Sequence, residues 1–125
     1  MEFYYDETWG NYEKAKSVCA NAGGILFEAK NATVTKAVSD HFERFVKSIN
    51  SRFWLGIHKN TDNGTYVYES DGMPIGWTNW ANGKPSTSSR EADQTGKEKC
   101  VVIFKNKHID CYPVCGFALY LRINE

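Results

Sequence analysis

The sequence predicts an α+β domain: two helices, then a mainly antiparallel sheet interrupted by a long irregular loop. Three observations carry this reading. Two amphipathic helical patterns fill the first part of the chain. Short strand-like runs, separated by Asn-Gly and Asp-Gly turns, fill most of the remainder. Residues 81–99, between two of those runs, hold Gly, Pro, Ser, Thr and charged residues with almost nothing apolar.

Phe3 to Tyr5 reads as a short first strand, and Asp6-Glu7-Thr8 as the turn after it. From Asn11 to Ala22, the residues Tyr12, Ala15, Val18, Cys19 and Ala22 recur at the spacing of one helical face. Gly23-Gly24 stops that helix, and Ile25-Leu26-Phe27 is a brief extended piece. A second helix is expected from about Ala32 to Ile49. Its buried stripe is Val34, Ala37, Val38, Phe42, Phe45, Val46 and Ile49, with Asp40, Glu43, Arg44 and Lys47 facing water.

Beyond residue 50 the period changes. Phe53-Trp54-Leu55-Gly56-Ile57 is apolar throughout, as a central strand is. Asn63-Gly64 forms a hairpin turn, Tyr66-Val67-Tyr68 returns, and Asp71-Gly72 turns again. The loop over 81–99 follows; loops of that length in a compact domain are commonly functional. Cys100 to Phe104 is the strand leaving it, and Phe117 to Ile123 is the last strand.

A chain of 125 residues fits one domain, here residues 1–125. With 42% hydrophobic and 24% charged residues, it is globular and not disordered. Fifteen basic residues balance fifteen acidic ones, so no net positive field draws nucleic acid or an acidic membrane. No apolar run reaches the length of a membrane span, which excludes insertion by a helix. His41 sits within the second helix, and His58 and His108 are far apart in sequence. No nucleophile motif and no HExxH occurs, so the pattern does not point to an enzyme.

The four cysteines, at 19, 100, 111 and 115, lack the spacing of a metal site. Disulfides are favoured over zinc, and the residues alone leave all three full pairings open. Asn31-Ala32-Thr33 and Asn63-Gly64-Thr65 are sequons compatible with a secreted or extracellular location.

Six stretches, in order and spanning nearly the whole chain, resemble the C-type lectin-like domain. They are Trp9 with Ala15 and Cys19; Gly23-Gly24-Ile25-Leu26; Trp54-Leu55-Gly56-Ile57; Tyr68-Glu69-Ser70-Asp71-Gly72; Trp77-Thr78-Asn79-Trp80-Ala81-Asn82-Gly83-Lys84-Pro85; and Gly96-Lys97-Glu98-Lys99-Cys100-Val101-Val102-Ile103. Any one is weak, but their order is specific. Trp54 and Trp77 read as core packing, able to support a loop that has no ladder of its own. Trp80 lies closer to the loop and joins the candidate ligand surface.

The resemblance implies a disulfide from Cys100 to Cys115; the alternative, Cys100 to Cys111, leaves a shorter ring than the family usually has. The family's other disulfide, from first helix to last strand, has no counterpart here, because the last strand lacks a cysteine. Leu121 or Ile123 takes that place, and Cys19 is expected as a buried thiol. Cys111 is left open as a thiol, as a crosslink to a second chain in a homodimer, or as a partner of Cys19.

Sugar-binding members hold calcium in the long loop through oxygen ligands around a cis proline. The resemblance places Lys84-Pro85-Ser86 at that motif. Pro85 is kept, Lys84 stands where an acid or amide would coordinate, and Ser86 offers only a hydroxyl. Glu98 matches the next carboxylate. In the stretch Lys107 to Cys111, where the family carries Trp-Asn-Asp, two alignments remain. One puts Ile109 in the Trp place and Asp110 in the Asn place; the other puts His108 in the Trp place and keeps Asp110 as the Asp. The implied metal set is therefore Glu98, Asp110 and Ser86, short of the six to eight oxygens calcium takes. A salt bridge from Lys84 to Glu98 or Asp110 is the alternative way to hold the loop.

Two functions follow from the resemblance. The first is glycan recognition through Trp80, Lys84, Pro85, Ser86, Glu98 and Asp110, with degraded or absent calcium dependence. The second is calcium-independent recognition of a cell-surface protein by the same surface.

Overall fold

A computed structural model of the chain describes residues 2–45, 52–60, 64–82, 100–104, 106–111 and 116–122; the side chains of 2, 6–9, 43–45, 109–111, 116–118, 121 and 122 are not described. In chain order the elements are β1 (Glu2–Gly10), α1 (Tyr12–Asn21), β2 (Gly24–Leu26), α2 (Ala32–Phe45), β3 (Phe53–Lys59), β4 (Tyr66–Tyr68), β5 (Cys100–Phe104), β6 (Lys107–Cys111) and β7 (Gly116–Arg122).

One sheet runs β1-β7-β3-β5-β6, with β2 added to β7 and β4 to β3. Every pairing is antiparallel except β3 with β7, which pairs Phe53 with Phe117 and Trp54 with Ala118 in parallel. The expected α+β class with a mainly antiparallel sheet is what forms.

The central place of β3 follows from its sequence, since all of Phe53 to Ile57 is buried. Its alternation divides the core in two. Phe53, Leu55 and Ile57 join Val101, Ile103, Leu119 and the α2 residues Val38 and Phe42. Trp54 joins Val102, Cys100 and Leu26 with the α1 residues Tyr12, Ala15 and Cys19. The side-chain period of two along β3 and β5 thus sends one helix to each face of the sheet. Gly56 interrupts this run for a steric reason. A Cβ there would lie 3.0 Å from the Leu26 carbonyl oxygen and 3.0 Å from Glu28 Cγ. The Gly56 N–H instead donates to the Phe27 carbonyl at 2.8 Å, and its own carbonyl accepts from Glu69 N–H at 2.8 Å.

The caps follow the chemistry of their residues. Asn11 Oδ1 accepts from Lys14 N–H at 2.8 Å and starts α1. Gly23, at φ 78°, ends it. Asn31 Oδ1 accepts from Val34 N–H at 2.8 Å and starts α2. Gly64 (φ 73°) and Gly72 (φ 70°) supply the two expected turns, and the second is tied by Met73 N–H to Asp71 Oδ1 at 2.9 Å.

Two expectations are corrected. Asp6-Glu7-Thr8 is not a turn but continues β1, whose pairing with β7 shifts register between Asp6 and Gly10. In α2 the buried stripe is Thr35, Val38, Ser39 and Phe42, whereas Val34 is 42% exposed and Ala37 also faces water. Thr35 and Ser39 keep the same i, i+3, i+4, i+7 spacing as an apolar stripe, and both are buried. The extension of α2 from residue 46 to 49 lies outside the described residues.

Candidate functional site

The described part of the expected ligand surface is the loop entrance, residues 77–82, together with β6. They are joined directly. Trp80 and His108 form a parallel bridge. His108 N–H donates to the Asn79 carbonyl at 2.9 Å, and Ala81 N–H donates to the His108 carbonyl at 2.9 Å. Asn79 Nδ2 donates to the Asn106 carbonyl at 2.6 Å, and Lys107 Nζ donates to Asn79 Oδ1 at 3.2 Å.

The His108 ring is fully buried. Trp77 approaches it edge-on with centroids 5.4 Å apart, and Trp80 does so at 5.7 Å. Trp80 is half-buried and also meets Tyr66 at 5.3 Å. Neither ring nitrogen of His108 has a hydrogen-bond partner among the described residues. Burial pushes its pKa down to about 4, and the nearby Asn79 carbonyl opposes this only in part. Asn106, at the β5–β6 turn, is the one non-glycine residue among those described with positive φ, 63°, and among them its buried Oδ1 also lacks a partner.

The expected site residues divide accordingly. Trp80 stands at the loop entrance. Asp110 lies in β6 opposite Val101, and Ile109 opposite Val102, with neither side chain described. Lys84, Pro85, Ser86 and Glu98 lie outside the described residues. Cys100 is buried at the start of β5, with Cys111 opposite it in β6. Cys115, and with it the expected Cys100–Cys115 disulfide, lies outside the described residues. Cys19 is buried on α1, 1% exposed. Among the described residues, no group of three or more His, Cys, Asp or Glu side chains could hold a metal ion.

His108 was visible in the sequence only as one of two residues for the family's Trp position. Its cage of two tryptophans comes from residues about thirty positions away, which no local pattern reports.

A second polar cluster, not expected from sequence, joins α1 to the β3–β4 hairpin. Glu69 Oε1 accepts from the Tyr12 hydroxyl at 2.8 Å and lies 3.0 Å from His58 Nδ1. Glu69 Oε2 lies 3.5 Å from Lys16 Nζ, which also pairs with Glu13. Burial, then the Glu69 carboxylate, raises the Tyr12 pKa, so the phenol stays protonated and donates. For Lys16, burial acts to lower the pKa, but Glu69 and Glu13 outweigh it and the net shift is upward. The cluster is half-buried and reads as a fastening between elements. Glu69→Ala leaves the buried Tyr12 hydroxyl without its acceptor, and an expected loss of about 1–3 kcal/mol follows. Urea unfolding of the variant beside the parent measures it.

No helix among the described residues is long and apolar enough to cross a membrane.

Comparison with known proteins agrees with this architecture. The family model described as the lectin C-type domain matches residues 9–116. Pulmonary surfactant-associated protein D of Sus scrofa is 31% identical over 101 residues, covering 78% of this chain and 25% of that protein. The chain spans about a quarter to a third of the length of the curated relatives it matches. Among solved structures, the carbohydrate-recognition domain of mouse scavenger receptor C-type lectin superposes with a TM-score of 0.72 at 17% identity, over 94% of this chain and 85% of that one. The cow C-type carbohydrate-recognition domain of CD23, solved in the presence of a GlcNAc2Man3 oligosaccharide, gives 0.71 at 20% identity, over 94% and 84%. The match to the family model takes in every element from α1 to β6 in the order found here, and on that basis the chain belongs to the C-type lectin domain family.

Proposed function

We propose that this chain is an extracellular recognition domain, not an enzyme, that binds glycans through the surface formed by the long loop and β6, with degraded or absent dependence on calcium. The observation that carries the reading is the joining of the loop entrance to β6 at Trp80 and His108, within a carbohydrate-recognition fold. A domain of this fold solved in the presence of an oligosaccharide supports the ligand class. On this reading Trp80, Lys84, Pro85, Ser86, Glu98 and Asp110 face the ligand, and a Cys100–Cys115 bridge closes the base of the loop.

The donor chemistry does not fit a conventional calcium site. Glu98 and Asp110 bring carboxylates and Ser86 a hydroxyl, against the six to eight oxygens calcium takes. Lys84 brings an ammonium, which cannot coordinate the ion and repels it. That lysine also favours the second reading, a calcium-independent surface for a protein partner. A glycan array read first in calcium and then in chelator separates the two. Glycan binding that survives chelation is expected. An array without hits in either buffer contradicts glycan recognition and leaves the protein-binding reading.

A further inference from the structure

The loop entrance is held to β6 and to the turn before it by backbone and side-chain hydrogen bonds, most of them made by Asn79. We propose that Asn79 is the positioning residue of the ligand surface: its amide ties the loop entrance to the β5–β6 turn, so that this part of the surface is set by the protein's own groups and not by a bound metal ion. The proposal rests on the reading of this face as the ligand surface.

Asn79 uses both ends of its amide and its backbone. Nδ2 donates to the Asn106 carbonyl at 2.6 Å, Oδ1 accepts from Lys107 Nζ at 3.2 Å, and the main-chain carbonyl accepts from His108 N–H at 2.9 Å. The amide orientation is fixed by its partners, since a flip would set oxygen against oxygen and NH2 against an ammonium. Three successive residues, Asn106 in the turn and Lys107 and His108 at the start of β6, are thereby bound to one residue of the loop entrance. Ala81 N–H returns the tie to the His108 carbonyl.

The turn that receives the Asn79 amide is an unfavourable one. Asn106 has φ 63° and a buried Oδ1 with no partner among the described residues, and two positions on, the buried His108 ring has none among them for either nitrogen. Such groups persist only where their surroundings fix them. The Asn79 amide, with Trp77 and Trp80 packed on His108, is what fixes them here. Lys107 contributes from the exposed side.

Hydrogen exchange of the backbone amides tests this without any ligand. The His108 and Ala81 amides report the tie; the Phe27 amide, bonded to the Leu119 carbonyl at 2.8 Å, and the Gly56 amide report the core. In Asn79→Ala, exchange at His108 and Ala81 should rise at least about tenfold with Phe27 and Gly56 unchanged, as expected for losing a part-buried hydrogen bond that holds the segment. Asn79→Asp keeps the size and an oxygen for Lys107 but has no donor for Asn106, and should behave the same way. Protection in the parent should be equal in calcium and in chelator. The proposal is overturned if both variants keep full protection, if the core amides accelerate by the same factor, or if chelation alone releases His108 and Ala81 in the parent. Ligand affinity is then measured on the array. Hits that weaken at least about tenfold in Asn79→Ala, with the core intact, tie the position to recognition; hits that bind both proteins equally refute that role. An array without hits for the parent overturns the glycan reading and leaves the exchange result standing.

Discussion

Trp54→Ala is expected to lower the free energy of unfolding by about 3–5 kcal/mol, the range for removing a large buried aromatic side chain. Trp54 is 1% exposed in the central strand. It packs edge-on against Tyr12 at 5.7 Å, within the cluster formed by α1, β2 and β5. Its indole N–H donates to the Gly10 carbonyl at 2.8 Å, which ties the end of β1 to the core just before α1 begins. The substitution therefore opens a cavity and also frees a carbonyl. Trp54→Phe fills most of the cavity but cannot restore the hydrogen bond, and a loss of about 1–3 kcal/mol is expected from it. Guanidinium unfolding of the three proteins checks the order. A Trp54→Ala protein as stable as the parent would mean that α1 does not depend on this cluster.

Acidification is the second large effect, and His108 is its source. The ring's pKa of about 4 in the folded chain lies below its ordinary value of 6.5, so the folded state binds the proton less readily than the unfolded state. The corresponding stability is fully present above pH 6.5 and is lost as pH falls from there through about 4, reaching about 2 kcal/mol by pH 5 and about 3 kcal/mol at the acid end. His108→Phe removes the titrating group while keeping a ring between Trp77 and Trp80. The variant should lose less stability than the parent between pH 7 and pH 5. Denaturant midpoints at the two pH values measure the difference, and equal losses would show that the buried imidazole does not control it.

Most of the fold was legible because the sequence is locally consistent with it. The continuous apolar run at β3, the Asn-Gly and Asp-Gly turns, the helical face of α1 and the strand beginning at Cys100 each have one physical reading. The stripe of α2 was displaced because Thr35 and Ser39 count as polar in a hydrophobic pattern, yet are buried where Val34 is exposed. The second half of β1 was hidden because Asp6-Glu7-Thr8 has turn composition, while β7 supplies strand partners that composition does not record. The site was less legible. The match of Trp80 and Asp110 to a family pattern pointed to the loop entrance and β6, but the Asn79 tie, the tryptophans around His108 and the Tyr12–Glu69 bond join residues 27 or more positions apart. Such contacts are made only when the sheet forms.

On the proposed function, the face built from the loop entrance and β6 receives the ligand. The most direct measurement of this is a two-dimensional NMR titration of labelled protein with a ligand selected from the array. Shifts concentrated at the Trp80 indole, the Lys107 and His108 amides and the residues of 81–99 are what this account requires. Shifts confined to β1 and α1, with Trp80 and β6 silent, would contradict it.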